Sequence, residues 1–256
     1  MIVFIAGMPR AGSMWTYNVI RSCLAAAGKT VLPEEPPVNE RDAIMEAVSK
    51  PVSGDAVYCI KTHERLPLDL PNARYVCNYR DVRDAMVSYM RFMGCDVDFG
   101  LKTVQWMMDL TDYYFSAAPE RRVTISYDAI GASGGVRLIE SLCRFLGLNI
   151  PKKTIKQIAQ KYAKSRIRNL VKTLNRVELD NSGAPVQSGQ AGQITAAPGT
   201  HGDFRVYHKA TGFQARHITA TKNAEWKQLL AEADQRRLME LTGDWLSRYG
   251  FVNVSD

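Results

Sequence analysis

MIVFIAGMPRAGSMW, residues 1–15, passes from an apolar β-type run (2–6) through a turn of small residues into a helical pattern. In that pattern Trp15, Val19, Ser22, Cys23 and Ala26 share one face, and Gly28 supplies a stop. The same order recurs along the chain. Short β-rich runs at 57–60, 74–78 and 123–126 are each followed by a polar turn and later by helical periodicity. Helices are predicted over 81–92, 99–115, 135–146, 152–174 and 235–249, and over 43–48 behind Asn39 and Asp42 as capping residues. Alternation of this kind implies parallel strands joined by crossover helices. The expected fold is α/β, a central parallel sheet flanked by helices in three layers.

A chain of 256 residues, 46% hydrophobic and 23% charged, is long enough for one sizeable core, and we expect a single domain over 1–256. No repeat of fixed period is visible, and the apolar runs fall well short of the roughly 18 residues a membrane span needs. The opening lacks a basic leader region, which suggests a cytoplasmic protein. Five cysteines, odd in number and without CxxC spacing, read as reduced core thiols. The net charge of +7 admits nucleic acid, an acidic membrane surface or a small polyanionic ligand. Much of that excess lies at 152–176, either a solvated helix face or a contribution to anion capture. Residues 181–203, rich in Gly, Pro, Ser, Gln and Ala, are expected to form a flexible loop, as a lid or a disordered insertion. Behind it Phe204, Tyr207 and Phe213 stand among Arg205, His208, Lys209, Arg216 and His217, a mixture suited to closing over a charged ligand.

The turn at 7–15 has a physical use. In open parallel sheets ligands sit beyond the carboxyl ends of the strands, and a tight turn into a helix aims free backbone N–H groups at one point. Such a point favours an anion such as phosphate. Gly12 permits close backbone approach, Arg10 adds positive charge and Ser13 a hydroxyl. The turn is not a Walker A loop, because Ser13 and Met14 follow Gly12 where Lys and Ser or Thr are required. In CIKTHERLP (59–67), Lys61 and His63 stand two apart at a strand end, a cation and an imidazole able to stabilise charge and accept a proton. In ARYVCNYRDVRDAMVSYMRF (73–92), Arg80 ends a strand and Ser88 follows eight residues later, so both can reach a second phosphate. Arg83 and Arg91 are expected to be solvated.

Taken in order, GMPRAGSMW, KTHERLP and YVCNYRDVRDAMVSYMRF resemble the signatures of the cytosolic sulfotransferase family, which uses 3′-phosphoadenosine 5′-phosphosulfate (PAPS) as sulfuryl donor. ISYDAI (125–130) and AEWKQLL (224–230) are similar to two further family segments. The resemblance implies a P-loop-NTPase-like fold and a PAPS-dependent enzyme that leaves adenosine 3′,5′-bisphosphate (PAP), requires no metal and acts on a small-molecule or carbohydrate acceptor. It implies that Arg10, Ala11, Gly12, Ser13 and Met14 surround the 5′-phosphosulfate, that Trp15 lies near the adenine, and that Tyr127 belongs to the donor site. Arg80 and Ser88 would hold the 3′-phosphate, with Lys61 and Arg10 neutralising charge and His63 as general base. Three departures stand out. Arg10 replaces the usual Lys, Met14 stands where a phosphate-binding Thr is common, and TATKNAEW (219–226) lacks the family's Arg-Lys-Gly clamp, for which Arg216 or Lys222 are candidate substitutes. The alternatives are a P-loop-like nucleotide kinase and a non-catalytic nucleic-acid-binding protein using 152–176, although no nucleic acid, metal or membrane span is expected.

Overall fold

The computed structural model describes residues 1–37, 40–50, 54–131, 135–180, 185–186, 193–198, 204–216 and 224–251. The chain runs β1 (Ile2–Gly7), α1 (Ser13–Ala26), β2 (Thr30–Leu32), α2 (Glu40–Ser49), β3 (Ala56–Lys61), β4 (Ala73–Tyr79), α3 (Val82–Met93) and α4 (Val97–Phe115). It continues with β5 (Arg122–Ser126), α5 (Tyr127–Gly131), α6 (Gly135–Leu146), α7 (Lys152–Lys161), α8 (Lys164–Leu174), β6 (Ile194–Pro198), β7 (Phe204–His208), α9 (Trp226–Leu229) and α10 (Glu232–Arg248). The first five strands form one parallel sheet in the order β2-β3-β1-β4-β5. Because α1 leads from β1 toward one edge and α3 and α4 lead from β4 toward the other, a crevice opens beyond the carboxyl ends of β1 and β4.

Strand alternation decides which layer each residue joins. Val3 and Ile5 of β1 pack with α1, α6, α7 and α8, whereas Ile2, Phe4 and Ala6 pack with α2 and α4 on the other face. Every residue of β1 is therefore buried, which is why it reads as an unbroken apolar run. A third cluster joins Met8 and Ala11 to α3, α4, α9 and α10. This is the three-layer α/β arrangement expected from the sequence.

Several elements differ from expectation for local reasons. The single helix expected at 152–174 is two, because Tyr162 leaves helical geometry and its carbonyl accepts Trp15 Nε1 at 3.0 Å. Within 181–203, expected as a loop, Ile194–Pro198 pairs antiparallel with Phe204–His208. The short edge strand β2 and the short helices α5 and α9 carry too few residues for periodicity to register. Arg83, expected in solvent, is buried; it bonds the N-capping Asp81 at 2.7 Å and lies over the Trp226 ring at 4.6 Å. Arg91 is exposed, as expected, and pairs with Glu225 at 2.7 Å. Asp42 lies inside the first turn of α2 and not at its cap, and Asn39 lies outside the described residues. The cysteines are free thiols, four of them buried.

Gly7 closes β1 at φ 111°, and a Cβ there would meet the Asn78 carbonyl oxygen of β4 at 2.3 Å. At Gly28, φ is 73° and the space around it is open. Gly7→Ala should therefore cost on the order of 2–4 kcal/mol in urea denaturation, and Gly28→Ala about 1 kcal/mol from backbone strain alone. Equal losses would contradict the tight β1–β4 approach.

Candidate functional site

The carboxyl ends of β1, β3 and β4 and the start of α5 enclose a cleft of 390 Å³ lined by Arg10, Gly12, Ser13, Met14, Trp15, Lys61, His63, Arg80, Ser88 and Tyr127. Three separate stretches of sequence thus meet in one cavity. Ala11 is buried behind the loop and packs with the third apolar cluster, without lining the cleft. Arg216 does not reach it either: its side chain is exposed, and its backbone N–H bonds Asn175 Oδ1 at 2.7 Å at the end of α8. Lys222 lies outside the described residues.

The loop between β1 and α1 is built for close approach. Arg10 has φ 64° and Gly12 φ 87°, the latter where a Cβ would meet Ile130 Cδ1 at 2.5 Å and Tyr127 Cδ2 at 3.3 Å. Gly12 is thus required by packing against α5 as well as by its left-handed conformation. It also caps α1, with no side chain covering that end of the helix. Met14 lines the cleft, and its carbonyl accepts Asn18 Nδ2 at 2.8 Å.

Two guanidinium groups dominate the electrostatics. Arg10 Nε donates to Ser88 Oγ at 3.0 Å and the guanidinium lies 4.6 Å from the Phe92 ring centroid. Burial, offset in part by Tyr127 and reinforced by Arg80, lowers its pKa to about 10. Arg80 is 3% exposed, stacks 4.2 Å above Tyr127, and stands 3.7 Å from Asp84 Oδ2. Its Nη2 is buried without a hydrogen-bond partner among the described residues. Leaving a buried charged donor unmade is expensive, so this geometry favours an anion brought from outside. Asp84 also holds the backbone N–H of Ala224 at 3.1 Å, and burial raises its pKa.

On the β3 side, Lys61 is paired with Glu40 at the start of α2. Nothing local in the sequence marks Glu40, since only the fold brings it to β3. His63 Nδ1 lies 2.8 Å from the Gly7 carbonyl oxygen. A carbonyl only accepts, so Nδ1 carries the proton and Nε2 keeps its lone pair. Desolvation, then the charge of Lys61, lowers the His63 pKa to about 4, against the opposing pull of Glu40 and the Gly7 carbonyl. The imidazole is neutral at pH 7 and able to accept a proton through Nε2.

Sequence reasoning passed over the apolar wall of the cleft, Tyr89, Phe92, Met93 and Trp106, whose helical spacing on α3 and α4 reads as core. Arg205, Phe213 and Gln214, on and just after the β6–β7 hairpin, also line it, as do Pro9, Ile130, Lys164 and Ile167. A second cavity of 340 Å³ adjoins the first through Met14, Lys61, Arg205 and Gln214 and is lined also by Glu40, Tyr207 and His208. Of the other histidines, His208 faces this second cavity and bonds Thr211, and His201 and His217 lie outside the described residues. Among the described residues no group of three His, Cys, Asp or Glu could hold a metal ion, and no helix is long and apolar enough to cross a membrane.

The sulfotransferase domain family model matches residues 2–193. The chain belongs to the sulfotransferase family. The matched span carries every residue of the cleft except Arg205, Phe213 and Gln214, and the match sets aside the nucleotide-kinase alternative. No curated protein matches the chain in sequence. The fold of this sulfotransferase is similar to that of a mouse sulfotransferase complexed with PAP, at TM-score 0.62 and 14% identity over 96% of this chain and 82% of that one. Retinol dehydratase is similar too. In complex with androsterone and inactive cofactor PAP it gives TM-score 0.58 and 15% identity over 96% and 80% of the two chains. In complex with retinol and PAP it gives 0.56 and 14% over 96% and 81%.

The depressed His63 pKa has a measurable sign. Between pH 6.5 and about 4 the unfolded chain protonates this residue and the folded one does not, so stability present above pH 6.5 is lost as pH falls. Urea melts of wild type and His63→Gln across this range should converge toward acid pH. A constant difference between the two would contradict a neutral, desolvated imidazole.

Proposed function

We propose that the protein transfers a sulfuryl group from PAPS to a hydroxyl or amine of an acceptor. The observation that carries this reading is the buried Nη2 of Arg80, which makes no hydrogen bond among the described residues and only a 3.7 Å ion pair with Asp84, in the cleft that also holds Arg10 and Ser88. Two neighbouring guanidinium groups, one with a hydrogen-bond donor unused, suit a ligand with two separated anionic groups. Structures of the same fold solved with PAP support the same donor.

In this reading Arg80 and Ser88 hold the 3′-phosphate and Tyr127 backs the Arg80 guanidinium. Arg10, Gly12, Ser13, Met14 and the backbone of the loop receive the 5′ end, Met14 through its main chain only, and Trp15 stands near the adenine. Lys222, two residues before the anchored Ala224, remains our candidate for the missing part of the clamp. Ala11 and Arg216 we assign no donor contact. His63 Nε2 takes the proton of the attacking acceptor as its oxygen or nitrogen bonds to sulfur. The bond from sulfur to the phosphate oxygen breaks, and its electron pair stays on that oxygen, where Arg10 and Lys61 stabilise the charge. Lys61 must exchange part of its contact with Glu40 to do so. The free thiols suit a reducing, cytoplasmic setting.

PAP should raise the melting temperature by several degrees, and AMP at equal concentration far less, because binding the native state stabilises it by mass action. Equal shifts would remove Arg80 and Ser88 from the 3′-phosphate. His63→Ala should lower turnover by roughly two to four orders of magnitude while the PAP shift persists. Near-normal turnover in that variant would assign the imidazole to structure alone.

A further inference from the structure

Between Lys152 and Arg176 the sequence places nine lysines and arginines and no acid, and all nine are exposed. Among the described residues none of them forms an ion pair, although Lys and Arg elsewhere on the surface commonly do. On α8 the charges are ordered. Lys164, Arg168 and Lys172 stand at i, i+4 and i+8, on one stripe of the helix, and Arg176 follows at the next step. Like charges at this spacing destabilise a helix, and Lys164 and Arg166 crowd its N-terminal turn, where the dipole disfavours cations. The stripe thus opposes local stability along its whole length.

It also has a direction. Lys164 lines the cleft, and α8, 11 residues and about 16 Å long, carries the stripe from there to its far end. At the far end the backbone of Arg216 is tied to Asn175, which adds another exposed cation. The cleft of 390 Å³ and the adjoining cavity of 340 Å³ are each at the small end for a single ligand, so the donor and the reacting end of an acceptor fill the two. Most of a large acceptor therefore lies outside.

We propose that this strip is the docking surface of an acidic polysaccharide acceptor, one of whose hydroxyls enters the cleft past Lys164 while the chain runs along α8. The proposal rests on the sulfuryl-transfer reading above. A small anion would engage one or two of these charges, so the array fits a polymer. Residues 164–176 contain no aromatic side chain on which bases could stack, which disfavours single-stranded nucleic acid. Of their apolar members Ile167, Val171 and Leu174 are buried and Leu170 is half-buried against the core, which leaves no exposed apolar face to insert into a membrane. An acidic polysaccharide supplies both the charge and the hydroxyl. In the transfer that hydroxyl oxygen bonds to sulfur, its proton passes to His63, and PAP leaves with the electron pair.

The test compares the full-length wild type with the double variant Arg168→Glu/Lys172→Glu, both outside the cleft. A fluorescent polyuronate oligosaccharide should bind the wild type with an affinity that falls steeply with salt, and the variant at least tenfold more weakly. With labelled PAPS, the KM for the polyuronate should rise by a similar factor at nearly unchanged kcat. PAP should stabilise both proteins equally, which also reports that the variant is folded. Equal binding by the two proteins, absence of wild-type binding at low salt, or tighter binding of an oligouridylate of equal charge or of phosphatidylserine vesicles would overturn the proposal. Failure of PAP to stabilise the wild type would overturn the donor assignment and transfer to the chain with it, an outcome distinct from a loss of polyuronate binding alone.

Discussion

The close approach of β1 and β4 at Gly7 is the constraint on which the cleft depends. With Asn78 opposite it in register and no room for a Cβ, the chain leaves β1 directly beside the end of β4. The carbonyl of Gly7 then faces His63 and fixes its tautomer, and the following loop brings Arg10 to Ser88 on α3. Asn78 Nδ2 donates to Thr16 Oγ1 at 2.9 Å, which ties β4 to the first turn of α1. One residue without a side chain thereby positions a base, a guanidinium group and a helix N-terminus. A side chain at that residue would displace all three together.

Around this joint the fold concentrates positive charge where water is scarce. Arg10, Arg80 and Lys61 share one cleft, and each is held by a substitute partner: Ser88 and Phe92, Asp84 and Tyr127, and Glu40. Burial costs of isolated charges are large, so these partners keep the arginines in place before any anion arrives. Affinity for the donor is then the difference between what its phosphates offer these cations and what the resident partners give up. The incomplete pairing of Arg80, with one nitrogen hydrogen-bonded to nothing among the described residues, biases that exchange toward binding.

Much of this was legible in the sequence because it is local. The strands at 2–6, 57–60, 74–78 and 123–126 announce themselves by apolar, β-branched runs, and the helix predicted over 81–92 is α3 (Val82–Met93). Arg10, Lys61, His63, Arg80 and Ser88 could be assembled because each sits at a strand end or a short way beyond it. What escaped depends on distant partners. Glu40 acquires its role only when α2 lies beside β3, and Arg83 is buried only because Trp226 returns from the far end of the chain. Arg216 illustrates the reverse error, a cation near the right place in sequence that the α8 terminus holds outside the cleft. The break at Tyr162 was equally invisible, since it is Trp15, far away in sequence, that takes the carbonyl continuing the helix would have hidden.

The positive charge does not stop at the cleft, because α8 continues it from Lys164, and the docking reading joins the catalytic one there. Their common premise is that Arg10 and Arg80 converge on one ligand with two anionic ends. A crystal structure of the PAP complex tests this most directly. The account predicts the 3′-phosphate within about 3 Å of Arg80 Nη2 and Ser88 Oγ, with the bond between Arg10 and Ser88 exchanged for contacts to the ligand's 5′ end. A complex in which Arg80 Nη2 keeps only its ion pair with Asp84 and the phosphates lie elsewhere would contradict it.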